Sequence, residues 1–245
     1  MKKILAFALS TVLLALCLSG CVLFGGDTVG GGIVGKGDPE SFEYTVGEFS
    51  EIRVELYCNI EYYAAPSDTV TLEIQPNLKE YIEVKESGGV LTVRSTKSIN
   101  WTGKAAVLTV STPTLSRLAL EGASNFRTHD TIVADSFTLR MGGAGSGKID
   151  LDVDKLSVAM SGAGGYELSG RADSAELEMS GAGNLDALAL QTRETKIDLS
   201  GVGTVQVSCS ENLRIAVAGE GSVEYRGFPN VDLQADGYVR VKKVN

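Results

Sequence analysis

Three serines stand directly before a Gly-x-Gly pair in the second half of the chain: Ser161, Ser180 and Ser200. Hydrolases use a serine in a glycine-rich turn as a nucleophile, but they place a further glycine two residues before it, at a turn from strand to helix. None of the three serines has that glycine, and no helical pattern follows them. The repeated serines therefore predict no nucleophile.

The other side chains that could do chemistry are His129 and the carboxylates of Asp150, Asp152 and Asp154. A single histidine excludes a histidine-rich metal site, and its segment offers no partners for a catalytic triad. The aspartates share one side of an alternating segment, where they could hold a cation or a sugar; the alternative is a solvated acidic face. Arginine and lysine are scattered singly. We predict no catalytic residue, no metal and no cofactor, and a polysaccharide-processing enzyme is the weakest interpretation.

The N-terminus has the pattern of an export signal. Lys2 and Lys3 precede the apolar run 4–18, which is too short to span a bilayer and long enough for a secretory signal. Leu18-Ser19-Gly20-Cys21 follows and resembles the bacterial lipobox, in which the cysteine is acylated. We predict a lipoprotein signal peptide over 1–20 and a lipid on Cys21 that anchors the protein to a membrane on its extracytoplasmic side, at the cell surface or in the periplasm.

The chain is acidic, with a net charge of −9. Loss of residues 1–20 removes two lysines and leaves 20 bases against 31 acids, a net charge of −11. Such a balance argues against nucleic acid as a partner and against electrostatic attraction to anionic lipids. Membrane attachment is therefore expected through the covalent lipid.

Composition divides the rest of the chain into two parts. Residues 21–41 are rich in glycine, have no hydrophobic period and predict a flexible linker. From Phe42 onward apolar and polar residues alternate, as in 51–62 and 69–74, which is typical of strands. We predict one all-β domain over 42–245.

Glycine recurs along this domain at a nearly constant spacing. The first glycines of successive units are Gly122, Gly143, Gly162, Gly181, Gly201, Gly219 and Gly237, at intervals of 21, 19, 19, 20, 18 and 18 residues. Such a period predicts a β-solenoid, like a single-stranded β-helix with repeats of 18–21 residues, rather than a meander of hairpins. About ten coils would use up the domain.

Parity within each unit shows what the glycines do. Alternate residues of a strand point to opposite faces. In segment 196–207, the glycines Gly201 and Gly203 fall on the same, core-facing side as the apolar residues Ile197, Leu199, Val205 and Val207. Glycine lets one backbone approach another where a side chain would not fit. We interpret the repeat as a structural corner, formed by Gly143, Gly145, Gly162, Gly164, Gly181, Gly183, Gly201, Gly203, Gly219 and Gly221.

The outward positions beside the corner are small and uncharged. Stacked coils would align them into a narrow strip, for which the candidate binding residues are Ser161, Ser180, Asn184, Ser200 and Thr204. Two interpretations remain open: small residues suit a tight corner, or the strip docks an extended polymer or another protein.

Two cysteines remain in the domain, Cys58 and Cys209. An exported pair can form a disulfide. Both, however, lie on the apolar parity of their strands, so we expect two separate buried thiols.

The strand phrases "FSEIRVELYCNIEYYAAPSDTVTLEI" and "LTVSTPTLSRLALEGASNF", with the serial "SGAGN" units, resemble the family of putative auto-transporter adhesins with a head GIN domain over about 42–230. The resemblance implies an exported all-β repeat domain and no catalytic residues. The expected function is non-enzymatic binding at the cell envelope, to a glycan or a protein. The alternative is a stress-related, regulatory or assembly component that binds another envelope protein.

Overall fold

The structure is a computed structural model that describes residues 31–101 and 103–245. The predicted signal peptide, Cys21 and the first part of the predicted linker lie outside the described residues. Among the described residues, no helix has the length and apolar character needed to cross a membrane.

Strands make up almost all of the regular structure. They are β1 Ile33–Val34, β2 Glu40–Tyr44, β3 Glu51–Glu55, β4 Cys58–Ala64, β5 Thr69–Ile74, β6 Ile82–Ser87, β7 Val90–Ser95, β8 Ile99–Asn100, β9 Ala106–Thr112, β10 Arg117–Leu120, β11 Ser124–Thr128, β12 Ile132–Met141, β13 Ala144–Met160, β14 Ala163–Met179, β15 Ala182–Leu199, β16 Val202–Val217, β17 Glu220–Arg226, β18 Asn230–Ala235 and β19 Tyr238–Lys243. One 3₁₀-helix, Pro76–Tyr81, lies between β5 and β6.

The predicted β-solenoid is confirmed. β13, β14, β15 and β16 stack in parallel, each one repeat from the next. Neighbouring coils keep one register, so that Met160 pairs with Met179 and Met179 with Leu199. Equivalent side chains therefore form columns, and alternation along each strand sends every second column into the core.

The solenoid has about seven turns of roughly 19 residues, so the expectation of about ten coils was too high. The difference lies in the N-terminal part of the domain. There β2 pairs antiparallel with β5, and β6 antiparallel with β7. Those residues close one end of the solenoid instead of adding coils, and alternation alone does not distinguish antiparallel from parallel pairing.

Chain order and stacking order also differ at this end. β3 lies between β7 and β10, and β4 lies between β9 and β11. The coil formed by β3 and β4 is thus inserted between two coils that come later in the chain.

The compact unit begins at Ile33, before the predicted boundary at 42. β1 pairs with β8, and the side chain of Asn77 donates to the carbonyl oxygen of Val34 (2.9 Å) while accepting from the Lys36 amide (2.7 Å). The part of the predicted flexible linker after Gly32 is therefore structured, because these backbone groups find partners there.

Aliphatic side chains fill the core in continuous columns. Leu177, Ile197 and Ile215 occupy equivalent positions in three successive coils, and all are buried. Full burial of one such side chain contributes about 1.5–3 kcal/mol, which a single coil could not obtain alone. The two cysteines are free and buried, as the alternation predicts.

Candidate binding groove

A groove of about 1260 Å³ runs across the coils on one side of the solenoid. Its floor is formed by outward side chains of β4 and β11, of the first halves of β13 to β16, and of β17. Because these strands stack in one register, the floor consists of parallel rows of side chains that cross the strands. Two rows define its chemistry.

The first row, called here the amide–hydroxyl row, contains no charged residue. It consists of Asn59, Asn125, Ser146, Gly165, Asn184, Thr204 and Ser222. At about 4.8 Å per coil the seven positions extend over roughly 29 Å.

Hydrogen bonds link neighbours within the amide–hydroxyl row. Asn125 donates to Asn59 (3.0 Å), Ser146 Oγ donates to Asn125 (2.9 Å), and Thr204 Oγ1 lies 3.2 Å from Ser222 Oγ. Each amide or hydroxyl retains further donor or acceptor capacity, which a ligand can use. Apart from Gly165, which has no side chain, the row therefore offers pre-positioned hydrogen-bonding groups at regular intervals.

The second row, called here the charged row, lies beside the first. It consists of Glu61, Arg127, Lys148, Glu167, Asp186, Gln206 and Glu224. Its four acids outnumber its two bases, and Lys148 is already paired with Glu167 (2.5 Å). A groove with this balance does not favour a polyanion.

An aromatic pair stands at one end of the groove. The rings of Tyr63 and His129 stack with centroids 4.4 Å apart and planes 4° apart. His129 Nε2 lies 2.6 Å from Glu61 Oε2, which fixes the imidazole, and Tyr63 remains 38% exposed. The pair presents an aromatic edge and polar atoms at the same place, the combination that recurs in binding sites.

The structure separates the predicted strip into two parts. Asn184 and Thr204 lie in the amide–hydroxyl row and line the groove. Ser161, Ser180 and Ser200 are exposed at the corner and do not line it.

The corner glycines stack on one another along the solenoid. A Cβ at Gly162 would overlap the carbonyl oxygen of Gly143, and one at Gly181 would overlap that of Gly162. The same relation recurs at Gly143, Gly145, Gly164, Gly183, Gly201, Gly203, Gly219 and Gly221, each against the residue one coil earlier. At these positions the backbones approach so closely that no side chain fits.

The predicted acidic side is occupied by contacts within the protein. Asp152 pairs with Arg171 (2.7 Å), and Asp150 accepts hydrogen bonds from Ser169 (2.8 Å) and Thr131. Across 31–101 and 103–245, no cluster of three histidine, cysteine or acidic side chains has the geometry of a metal site.

Sequence reasoning missed the charged row and the aromatic pair. Glu61 and His129 are 68 residues apart in the chain. Their contact depends on the insertion of β4 next to β11, which no local pattern reveals. The only available signal was the outward parity of Asn59, Glu61 and Tyr63 on one strand.

Together, these features define a β-solenoid with an extended polar groove along one side. The chain belongs to the family described as putative auto-transporter adhesin, head GIN domain, whose model matches residues 48–229. No match was found among curated proteins.

Solved structures support the same fold. A putative adhesin from Bacteroides fragilis is 26% identical, with a TM-score of 0.83, and the match covers 87% of this chain and 100% of that one. A putative lipid binding protein from Parabacteroides distasonis is 20% identical, with a TM-score of 0.67 and coverage of 87% and 99%. A putative adhesin from Parabacteroides merdae is also 20% identical, with a TM-score of 0.65 and the same coverage. The last two likenesses concern the fold alone.

Proposed function

We propose that this protein is a lipid-anchored, non-enzymatic adhesin of the cell envelope whose groove binds an extended, uncharged glycan. The observation that carries the proposal is the amide–hydroxyl row, seven stacked positions without a charge at the base of a groove of about 1260 Å³. The family, and the solved protein from Bacteroides fragilis that is described as a putative adhesin, agree with a binding role.

Three features favour a glycan over other polymers. The row offers hydroxyl and amide groups, which match the alternating donors and acceptors of sugar hydroxyls. The polar side chains recur at about 4.8 Å per coil, so an extended polymer with a regular repeat can meet several of them at once. Tyr63 at the groove's end offers a ring on which a sugar can pack.

The lipid anchor is supported by the sequence at Cys21. In the native host, we expect the chain to incorporate labelled palmitate and to sediment with membranes. A Cys21→Ser variant loses both properties. Incorporation of the label into the variant would place the acylation elsewhere and contradict the assignment.

Binding is tested on the compact unit Ile33–Asn245 with two uncharged β-linked glycans as probes, insoluble chitin and soluble N-acetylglucosamine oligomers. We expect saturable binding that Asn184→Lys reduces at least tenfold, because a long charged side chain fills the groove. Gln191→Lys is the matched control: it lies on the same strand, adds the same charge and is exposed outside the groove.

A corner variant separates the two interpretations of the small residues. Ser161, Ser180 and Ser200 changed together to lysine leave binding intact if the groove is the site, and abolish it if the corner is the docking face. Equal loss of binding in Asn184→Lys and Gln191→Lys contradicts the groove as the site. Absence of binding to either probe refutes the glycan proposal and favours an envelope protein as the partner.

A further inference from the structure

The coil at the C-terminal side of the described solenoid leaves its core open. β18 continues the register of β16, so that Val231 lies beside Leu213 and Leu233 beside Ile215. Leu213 and Ile215 are buried, whereas Val231 is 37% and Leu233 47% exposed. Apolar side chains on the core parity are thus left in contact with water.

The same coil presents two open strand edges. Within 31–101 and 103–245, the residue pairings of β18 are with β16 and those of β19 are with β17. Exposed edges of this kind are templates for pairing with another strand. The opposite end of the solenoid is closed by the antiparallel strands β2, β5 and β6, so the two ends are built differently.

We propose that the coil of β18 and β19 binds the same coil of a second copy of this chain, around a two-fold axis at the corner Asp236–Gly237. The chain runs towards this corner along β18 and away from it along β19. A half-turn about an axis through the corner therefore brings β18 of one copy beside β19 of the other, in antiparallel direction. The same operation pairs the remaining two edges, as a self-complementary interface requires.

Charge selects this pairing over pairing of like strands. The outward side chain at the centre of β18 is Asp232, which accepts a hydrogen bond from Arg214 of its own chain (3.3 Å), and those of β19 are Arg240 and Lys242. When β18 of one copy pairs with β19 of the other, core-facing residues must lie opposite core-facing residues. The registers that allow this place Asp232 opposite Arg240 or Lys242 of the second copy. Pairing β18 with β18 and β19 with β19 would instead oppose acid to acid and base to base, which is unfavourable across strands.

One register brings two of the three inward side chains of β18 against apolar partners. With Gly237 on the axis, Leu233 meets Val241 and Ala235 meets Val239 of the second copy, while Val231 meets Lys243 at the outer end of the pairing. Gly237 has no side chain to obstruct the approach, and Asp236 faces Tyr238 rather than its own symmetry mate. This interface does not include the groove and does not depend on the proposed function.

The test measures the mass of the unit Ile33–Asn245 by sedimentation equilibrium at increasing protein concentration. This unit has its own core and corresponds in extent to the complete chain of a crystallised relative. We expect twice the mass of one chain for the unchanged unit and the mass of one chain for Leu233→Lys. Val133→Lys, at an apolar residue on β12 that is 64% exposed, is the control and retains the doubled mass.

Charge reversal tests the pairing itself. Asp232→Lys loses the pair with Arg214 of its own chain, and it faces bases in the second copy. We expect it to give single chains, and its melting temperature shows whether it folds. Adding Arg240→Asp and Lys242→Asp to it reverses both sides and restores the doubled mass. A single-chain mass for the unchanged unit at every concentration overturns the proposal, as does a doubled mass for Leu233→Lys. Failure of the combined variant to restore the mass overturns the β18–β19 pairing.

Discussion

The stacked glycines at the corners make a quantitative prediction for Gly162→Ala. The added Cβ would overlap the carbonyl oxygen of Gly143, which belongs to the backbone and cannot rotate away. Overpacking of this kind costs about 1–3 kcal/mol, and the rigid neighbour places the cost near the upper value. Alanine also lowers the conformational entropy of the unfolded chain, which raises the free energy of unfolding by about 0.4–1 kcal/mol. We therefore expect a net loss of about 2 kcal/mol, equivalent to a melting temperature about 4–8 °C lower for a domain of this size.

Gly165→Ala is the matched control, three residues away on the same coil. A Cβ there would make an ordinary contact with the carbonyl oxygen of Asn184 (3.5 Å). Without a steric clash, the substitution acts only by lowering the conformational entropy of the unfolded chain. The melting temperature should therefore rise by about 1–4 °C. The melting temperatures of both variants are measured by thermal unfolding, monitored by circular dichroism. Equal melting temperatures for the two variants would refute the reasoning that close backbone approach demands glycine at the corner.

Four further results are expected. The buried hydroxyl of Tyr166 has no hydrogen-bond partner among the described residues, so Tyr166→Phe should raise the free energy of unfolding by about 1 kcal/mol in denaturant titrations; a decrease would reveal a hidden partner. Burial raises the pKa of Cys58 to about 12, so at pH 8 about one molecule in ten thousand carries the thiolate. Both Cys58 and Cys209 should resist iodoacetamide until denaturant is added, whereas labelling of the folded protein would place a thiol at the surface. The neutral thiol of Cys58 also stabilises the fold below the unfolded pKa near 8.5, and stability should fall as pH rises from there towards 12. Asp152→Asn breaks only an exposed ion pair with Arg171, so its melting temperature should equal that of the unchanged protein, with and without calcium. If calcium stabilised the unchanged protein but not the variant, Asp152 would belong to a calcium site.

The repeat, the parity and the buried cysteines were all predictable because each is a local property of the chain. A period near 20 residues places Gly162 and Gly181 in equivalent positions, and alternation then decides which neighbours point inward. Both steps need only residues a few positions apart. The same local information could not distinguish the antiparallel strands β2 and β6 from further coils, because antiparallel and parallel strands alternate alike.

The groove was only partly predictable. Asn184 and Thr204 were identified because they follow the glycine repeat, but the first member of the amide–hydroxyl row, Asn59, is outside it. Asn59 reaches Asn125 across 66 residues of chain, through the inserted coil. The shape of the coil decides which small residues line the groove and which lie on the convex corner. Because the sequence does not reveal that shape, Ser180 and Asn184 were predicted to belong to one strip.

NMR mapping shows whether the groove is the binding surface. The backbone amides of isotope-labelled Ile33–Asn245 are recorded during titration with N-acetylglucosamine oligomers of increasing length. We expect saturable shifts at Asn125, Asn184 and Thr204, with affinity rising as the oligomer spans more coils, and no change at Ser161 or Gln191. Shifts confined to the corner serines or to residues outside the groove would contradict this expectation.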